Sequence, residues 1–138
     1  MKRWLVVMLV SLCLAVGVGP QVFAQTAAEK IKAAKMREAR DDMQAGFLLA
    51  GNGQDAEAVK YFRAAVGLRP NWAEAHSILG SALARTGNYK EAEAELRKAV
   101  ELKPDYAEGW HFLGEFLKSQ GKNQEAQEAF AKAQRYAR

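Results

Sequence analysis

Gly53, Gly87 and Gly121 lie 34 residues apart, and each is followed at the fourth and fifth positions by Glu-Ala. Those pairs are Glu57-Ala58, Glu91-Ala92 and Glu125-Ala126. Gly46, Gly80 and Gly114 keep the same step, as do Leu49, Leu83 and Leu117, and Ala65, Ala99 and Ala133. Pro70 and Pro104 add another pair. Several independent columns sharing one period are not a product of composition. The chain is therefore a repeat of one supersecondary unit. Arrays of this kind bury a core only by stacking neighbours, and they present a surface more often than they carry out chemistry.

The units run over residues 39–72, 73–106 and 107–138. Each holds two helical patterns split by a Gly-containing turn at residues 50–53, 85–88 and 119–122. Glycine there is expected to take the left-handed conformation that ends a helix. Between units, Arg69-Pro70-Asn71 and Lys103-Pro104-Asp105 stop the second helix, because proline lacks a donor and clashes with the preceding turn. Asn71 and Asp105 are expected to cap the next helix, with Glu74 and Glu108 closing capping boxes three residues on. Leu79, Leu83, Ala92, Leu96 and Ala99 form the apolar stripes of the middle unit. Those of the last unit are Trp110, Leu113, Leu117, Ala126, Phe130 and Ala133. Small residues at Gly80 and Ala92 let paired helices approach. The fold class is all-α.

Residues 25–38 read as a helical lead-in with Ile31 and Met36 as its large apolar residues. The segment before it is a different object. Lys2 and Arg3 precede a 15-residue run without charge, Gly19-Pro20-Gln21 follows, and Val22-Phe23-Ala24 resembles a peptidase site. This is the pattern of a secretory signal peptide over residues 1–24, cleaved after Ala24. The alternative is a retained membrane anchor, although the run is shorter than the roughly 20 apolar residues a span needs. Cys13 is the only cysteine and lies inside the run after Leu12, where a lipoprotein signal needs a small residue. The mature chain would then have no disulfide chemistry. A net charge of +4 without a basic stripe interleaved with aromatics argues against a nucleic-acid partner.

These residues resemble the tetratricopeptide repeat (TPR), whose pattern is Trp-x2-Leu-Gly-x2-Tyr, then Ala-x3-Phe, then Pro. Trp110, Leu113, Gly114, Leu117, Ala126 and Phe130 match it, with Leu117 in place of Tyr. The middle unit supplies His76, Leu79, Gly80, Leu83, Ala92, Leu96 and Pro104. The first supplies Asp42, Ala45, Gly46, Leu49, Ala58, Phe62 and Pro70, and diverges most, as an end unit does. The resemblance implies an α-α superhelix of three helix-turn-helix units in which the first helices line a concave groove. Groove positions implied by that register are Arg40, Met43, Phe47 and Ala50, then Glu74, Ser77, Ile78, Ser81 and Arg85, then His111, Phe112, Glu115 and Lys118. The competing reading of any one of them is a packed or solvated position.

Some family members grip a partner's C-terminal carboxylate with basic and amide side chains. The corresponding positions here are Met43, Phe47, Ile78, Glu108 and Phe112, which include no cation or amide. Met43, Phe47, Ile78 and Phe112 read either as an apolar strip for an amphipathic helix or extended segment, or as packing between neighbouring first helices. No catalytic constellation, cofactor motif or metal motif is visible. His76 and His111 fall on adjacent first helices, His76 at the helix-pair position and His111 at the groove, and a shared metal would need a third ligand. Glu57, Glu91 and Glu125 begin second helices, where negative charge offsets the helix dipole. The expectation is an exported, periplasmic or secreted, non-enzymatic adaptor for a protein partner. A membrane-tethered biogenesis factor is the alternative, and a metal carrier or enzyme using His76 and His111 is a minor one. A weak homodimer through an exposed end of the last unit, including Phe116, is a further expectation.

Overall fold

The computed structural model describes the backbone of residues 20–137 and the side chains of residues 25–137. The expected signal segment therefore lies mostly outside the described residues. Among the described residues six helices follow one another: α1 (Pro20–Gly51), α2 (Asp55–Leu68), α3 (Ala73–Arg85), α4 (Tyr89–Leu102), α5 (Ala107–Ser119) and α6 (Asn123–Tyr136). Among the described residues there is no strand. The chain divides into two units, Met1–Lys35 and Met36–Arg138. In the first, the side chains at 25–35 are all exposed, Ile31 included. The second holds the three repeats.

Each repeat is a pair of helices pressed together over a glycine. A Cβ added at Gly80 would stand 2.7 Å from Leu96 Cγ and 3.0 Å from the Ala92 carbonyl oxygen. At Gly114 it would meet Phe130, and at Gly46 it would meet Phe62. The period-34 glycines of the first helices thus mark where the second helix of the same unit crosses. The second glycine series does what its turn position requires. Gly53, Gly87 and Gly121 have φ of 77°, 83° and 76°, the region that a Cβ disfavours.

The core runs through the stack, with Phe62, Leu79, Leu83, Leu96, Leu113 and Leu117 fully buried. Consecutive units join through α2 against α3 and α4 against α5, and the first helices α3 and α5 also meet. The start of each first helix departs from the capping expectation. Pro70-Asn71 and Pro104-Asp105 form turns, and the N-cap residues are Trp72 and Tyr106, without a side-chain cap bond. Packing has replaced capping there. Tyr106 is buried, with the Lys103 ammonium 5.2 Å from its ring centre, and Arg69 lies 4.3 Å from the ring centre of Trp72. Glu74 serves no capping box and pairs with Lys103 at 2.9 Å instead.

Ion pairs clasp neighbouring units at the solvent-facing surface, one of them beside the recess described below. Arg63 pairs with Glu91, Arg97 with Glu125 at 2.6 Å, Lys122 with Glu93 at 2.9 Å, and Arg85 with Asp55 at 2.8 Å. Hydrogen bonding to Glu91 raises the Arg63 pKa, and hydrogen bonding to Lys122 lowers that of Glu93. These groups are substantially solvated, and exposed pairs contribute about 0–1 kcal/mol each. Arg97→Met is accordingly expected to cost less than about 1 kcal/mol in urea unfolding at low salt. At 1 M salt, where the Debye length falls to about 3 Å, that cost should shrink further. A larger or salt-independent loss would mean that the clasp does more than screen-prone pairing.

Candidate functional site

The first helices of the three repeats bring side chains from α1, α3 and α5 to one surface. Phe47, Ala50 and Gly51 of α1, Ile78, Ser81 and Arg85 of α3, and Phe112 of α5 line a recess of about 360 Å³ whose floor includes Phe62. Phe47 is 52% exposed and Phe112 39% exposed, although both are large apolar rings. Phe47 is held by an edge contact with Phe62, the rings 5.4 Å apart. The geometry follows from the repeat. Ile78 and Phe112 are separated by one period, and Ala50 and Arg85 by one period plus one, so neighbouring first helices offer nearly equivalent side chains to one concavity.

Of the expected groove positions, Phe47, Ala50, Ile78, Ser81, Arg85 and Phe112 are brought together in this recess. Two others have a different place. Met43 and Ser77, at 4% and 0% exposure, are buried. Met43 belongs to the core. Ser77 bonds the Glu74 carbonyl at 2.9 Å and lies 3.3 Å from the Tyr106 hydroxyl. Ser77 thus sits beneath the aromatic residue that opens the following helix. Arg40, Glu115 and Lys118 are exposed but do not line the recess, and Glu74 is half-buried against Lys103. Phe62 escaped the sequence-level groove assignment because its position reads as helix-pair packing, which it also performs.

Electrostatics around the recess are muted. The Arg85 guanidinium is paired with Asp55, through Nη2 at 2.8 Å and Nε at 2.9 Å. A carboxylate entering here would have to displace Asp55. The walls are otherwise apolar apart from the Ser81 hydroxyl, and that group donates to the Ser77 carbonyl at 2.9 Å.

The two histidines have separate surroundings. His76 is 6% exposed. Its Nε2 lies 2.8 Å from the Pro70 carbonyl oxygen and its Nδ1 2.5 Å from Glu95 Oε2. One period on, the Trp110 indole N–H donates to the Pro104 carbonyl at 2.8 Å. His76 therefore keeps the hydrogen bond that tryptophan makes in the next unit and adds a second one to Glu95. The Glu95 bond, opposed by burial, raises the His76 pKa, and the Pro70 carbonyl acts in the same direction. His111 is exposed, with its ring 5.6 Å from Phe130 and 6.4 Å from Phe112. Among the described residues no three His, Cys, Asp or Glu side chains are placed to hold a metal ion. Phe116 is another correction. It is 6% exposed, buried between helices, so it is no part of an exposed end.

Two tetratricopeptide-repeat family models match the chain, one over residues 43–107 and one over residues 83–138. No curated protein gives a significant match. Among solved structures, the second TPR of Spaghetti (RPAP3), bound to the HSP90 peptide SRMEEVD, is similar. Its TM-score is 0.70 at 19% identity, covering 75% of this chain and 95% of that one. The first TPR of Spaghetti, bound to the same peptide, also has a TM-score of 0.70 at 19% identity, covering 73% of this chain and 80% of that one. The repeat register, the glycine-mediated helix pairs and both family matches agree, and the chain belongs to the tetratricopeptide-repeat family.

Proposed function

We propose that this chain is a non-enzymatic adaptor whose recess on the first helices receives an apolar side chain from a peptide or amphipathic helix of another protein. The observation that carries this reading is the pair of half-exposed rings, Phe47 and Phe112, facing a common recess with Ile78. Large apolar side chains left open in a concavity mark binding sites more often than singly scattered ones do. The recess volume suits one bulky side chain as anchor. The two similar TPR domains are each bound to a peptide, which supports a peptide as the class of partner. Their acidic peptide is a poor guide to its chemistry here, because the one cation on the recess wall is already paired with Asp55.

Export belongs to the same proposal. The charged start, uncharged run and Val22-Phe23-Ala24 support a cleaved signal peptide and an envelope or secreted partner. Among the described residues no helix is long and apolar enough to cross a membrane. The uncharged run at residues 4–18 keeps the tethered biogenesis factor as the alternative. N-terminal sequencing of the exported protein separates the two, since a tethered form retains residues 1–24.

The groove reading is tested by Phe47→Asp and Phe112→Asp in full-length protein with unchanged circular dichroism. A crosslinker placed at Ser81 is expected to capture the cellular partner in the wild type and to lose most of that capture in either variant. Undiminished capture in both would move the binding surface elsewhere.

A further inference from the structure

The joints between units show what the end of a unit is built to hold. Where the second unit meets the third, Tyr106 is buried, with its hydroxyl 3.3 Å from Ser77 and the Lys103 ammonium over its ring. Ala73, Ala99 and Val100 of the second unit are buried there too, and Glu74 pairs with Lys103. Adding one period to Ala73, Glu74, Ser77, Ala99, Val100 and Lys103, the residues around the tyrosine, gives Ala107, Glu108, His111, Ala133, Gln134 and Ala137 of the third unit. Those six side chains, together with Phe112, line an open, almost wholly apolar slot of about 310 Å³. The slot is the counterpart of the seat taken by Tyr106, one repeat further along.

The differences between the two seats describe the occupant. Glu74 has Lys103 as its cation, but Ala137 stands where Lys103 would recur, and Glu108 has no ion-pair partner among the described residues. His111 stands at the position where Ser77 meets the tyrosine hydroxyl, so a residue able to hydrogen-bond recurs there. Both helices that seat on a preceding unit open in the same way, Trp72-Ala73-Glu74-Ala75 and Tyr106-Ala107-Glu108-Gly109. An aromatic ring enters the seat, and small residues one and three positions later let the helix lie close. A second copy of this chain fits badly. The residues that open its first unit place Glu38 at the aromatic position and, after Ala39, Asp41 at the second small one, which would set carboxylates against an apolar slot and Glu108.

We infer that the slot on the third unit is a second docking site, adjoining the recess through the shared ring of Phe112, for a partner-protein helix that opens with an aromatic residue followed by small ones and brings a cation to Glu108. The chain contains a ready probe: a synthetic peptide of residues 103–120, which carries Lys103, Tyr106, Ala107 and Gly109 and fills the equivalent seat within the fold. Labelled peptide is titrated into full-length protein and followed by fluorescence anisotropy. Saturable binding is expected, weakened about tenfold or more by Tyr106→Ala in the peptide, the usual scale for losing a buried aromatic anchor. Glu108→Lys and Ala133→Arg in the protein should weaken it as well, while Phe47→Asp should leave it unchanged. The peptide substitution decides the matter even if a protein variant fails to fold. Equal affinity of the tyrosine and alanine peptides, absence of binding at millimolar peptide, or loss in Phe47→Asp would overturn the assignment. So would a wild-type dimer in sedimentation that Ala133→Arg dissociates, because the occupant would then be a second copy.

Discussion

Leu96→Ala is expected to lower the unfolding free energy by about 2–5 kcal/mol, the range for emptying a fully buried leucine site. Leu96 is one of the most buried side chains of the array and sits in the crossing of α3 and α4, directly over Gly80. Each unit holds its neighbours, so the loss is expected as an earlier transition of the whole stack rather than a melted segment. Urea unfolding followed by circular dichroism measures it. Alanine is better than glycine in a helix by about 1 kcal/mol, yet Gly80→Ala is expected to destabilise by about 1–3 kcal/mol. The new methyl would stand 2.7 Å from Leu96 Cγ, a branch point that cannot swing aside, and 3.0 Å from the Ala92 carbonyl oxygen. Combining the two changes removes the worse of these clashes. The double variant should be more stable than the sum of the single losses predicts, by 1 kcal/mol or about that. Additive losses would show that Gly80 is not there to admit Leu96.

The repeat explains why so much of this fold can be read from residues alone. Gly80 and Gly87 recur at one period for two different reasons, close approach and positive φ, and each is fully specified by local geometry. The apolar stripe of Leu79, Leu83 and Leu96 likewise needs only helical spacing to place it in the core. What the residues concealed lies at the joints. Asn71 and Asp105 have the chemistry of caps, but Trp72 and Tyr106 gain more from burial than the helix end gains from a cap, and the helices start one residue later. Ser77 reads as a polar groove residue until Tyr106, at the far end of its own unit, is seen to cover it. Phe116 reads as an exposed end because burial in the core depends on helix rotation, which a single period leaves open. Six recess residues were legible because the groove lies on one face of consecutive first helices, where the period acts directly.

His76 is where the array is expected to answer to pH. The Pro70 carbonyl can only accept, so His76 Nε2 carries a proton, and the Glu95 carboxylate oxygen 2.5 Å from Nδ1 calls for a second proton there. The native state therefore favours the imidazolium, and its pKa is raised by the Glu95 bond above the value of about 6.5 that an unfolded chain would show. Lys98 is the charge that opposes this, and burial opposes it too. A group whose pKa is raised on folding contributes its full stabilisation below its unfolded pKa and loses it as pH climbs through the folded value. Unfolding free energy is thus expected to fall as pH rises from about 6.5 through the raised pKa. His76→Phe should cost about 1–3 kcal/mol at pH 6, since it leaves the Pro70 carbonyl and Glu95 without their donors. It should also flatten the pH slope. His76→Trp offers the discriminating variant, because Trp110 already makes the equivalent bond to Pro104. Tryptophan should recover part of the stability by donating to Pro70, yet it has no proton to lose and should leave the profile as flat as phenylalanine does. Stability in both variants that keeps the wild-type decline above pH 6.5 would assign the pH response to another group and reduce His76 to a hydrogen-bonded filler of the helix pair.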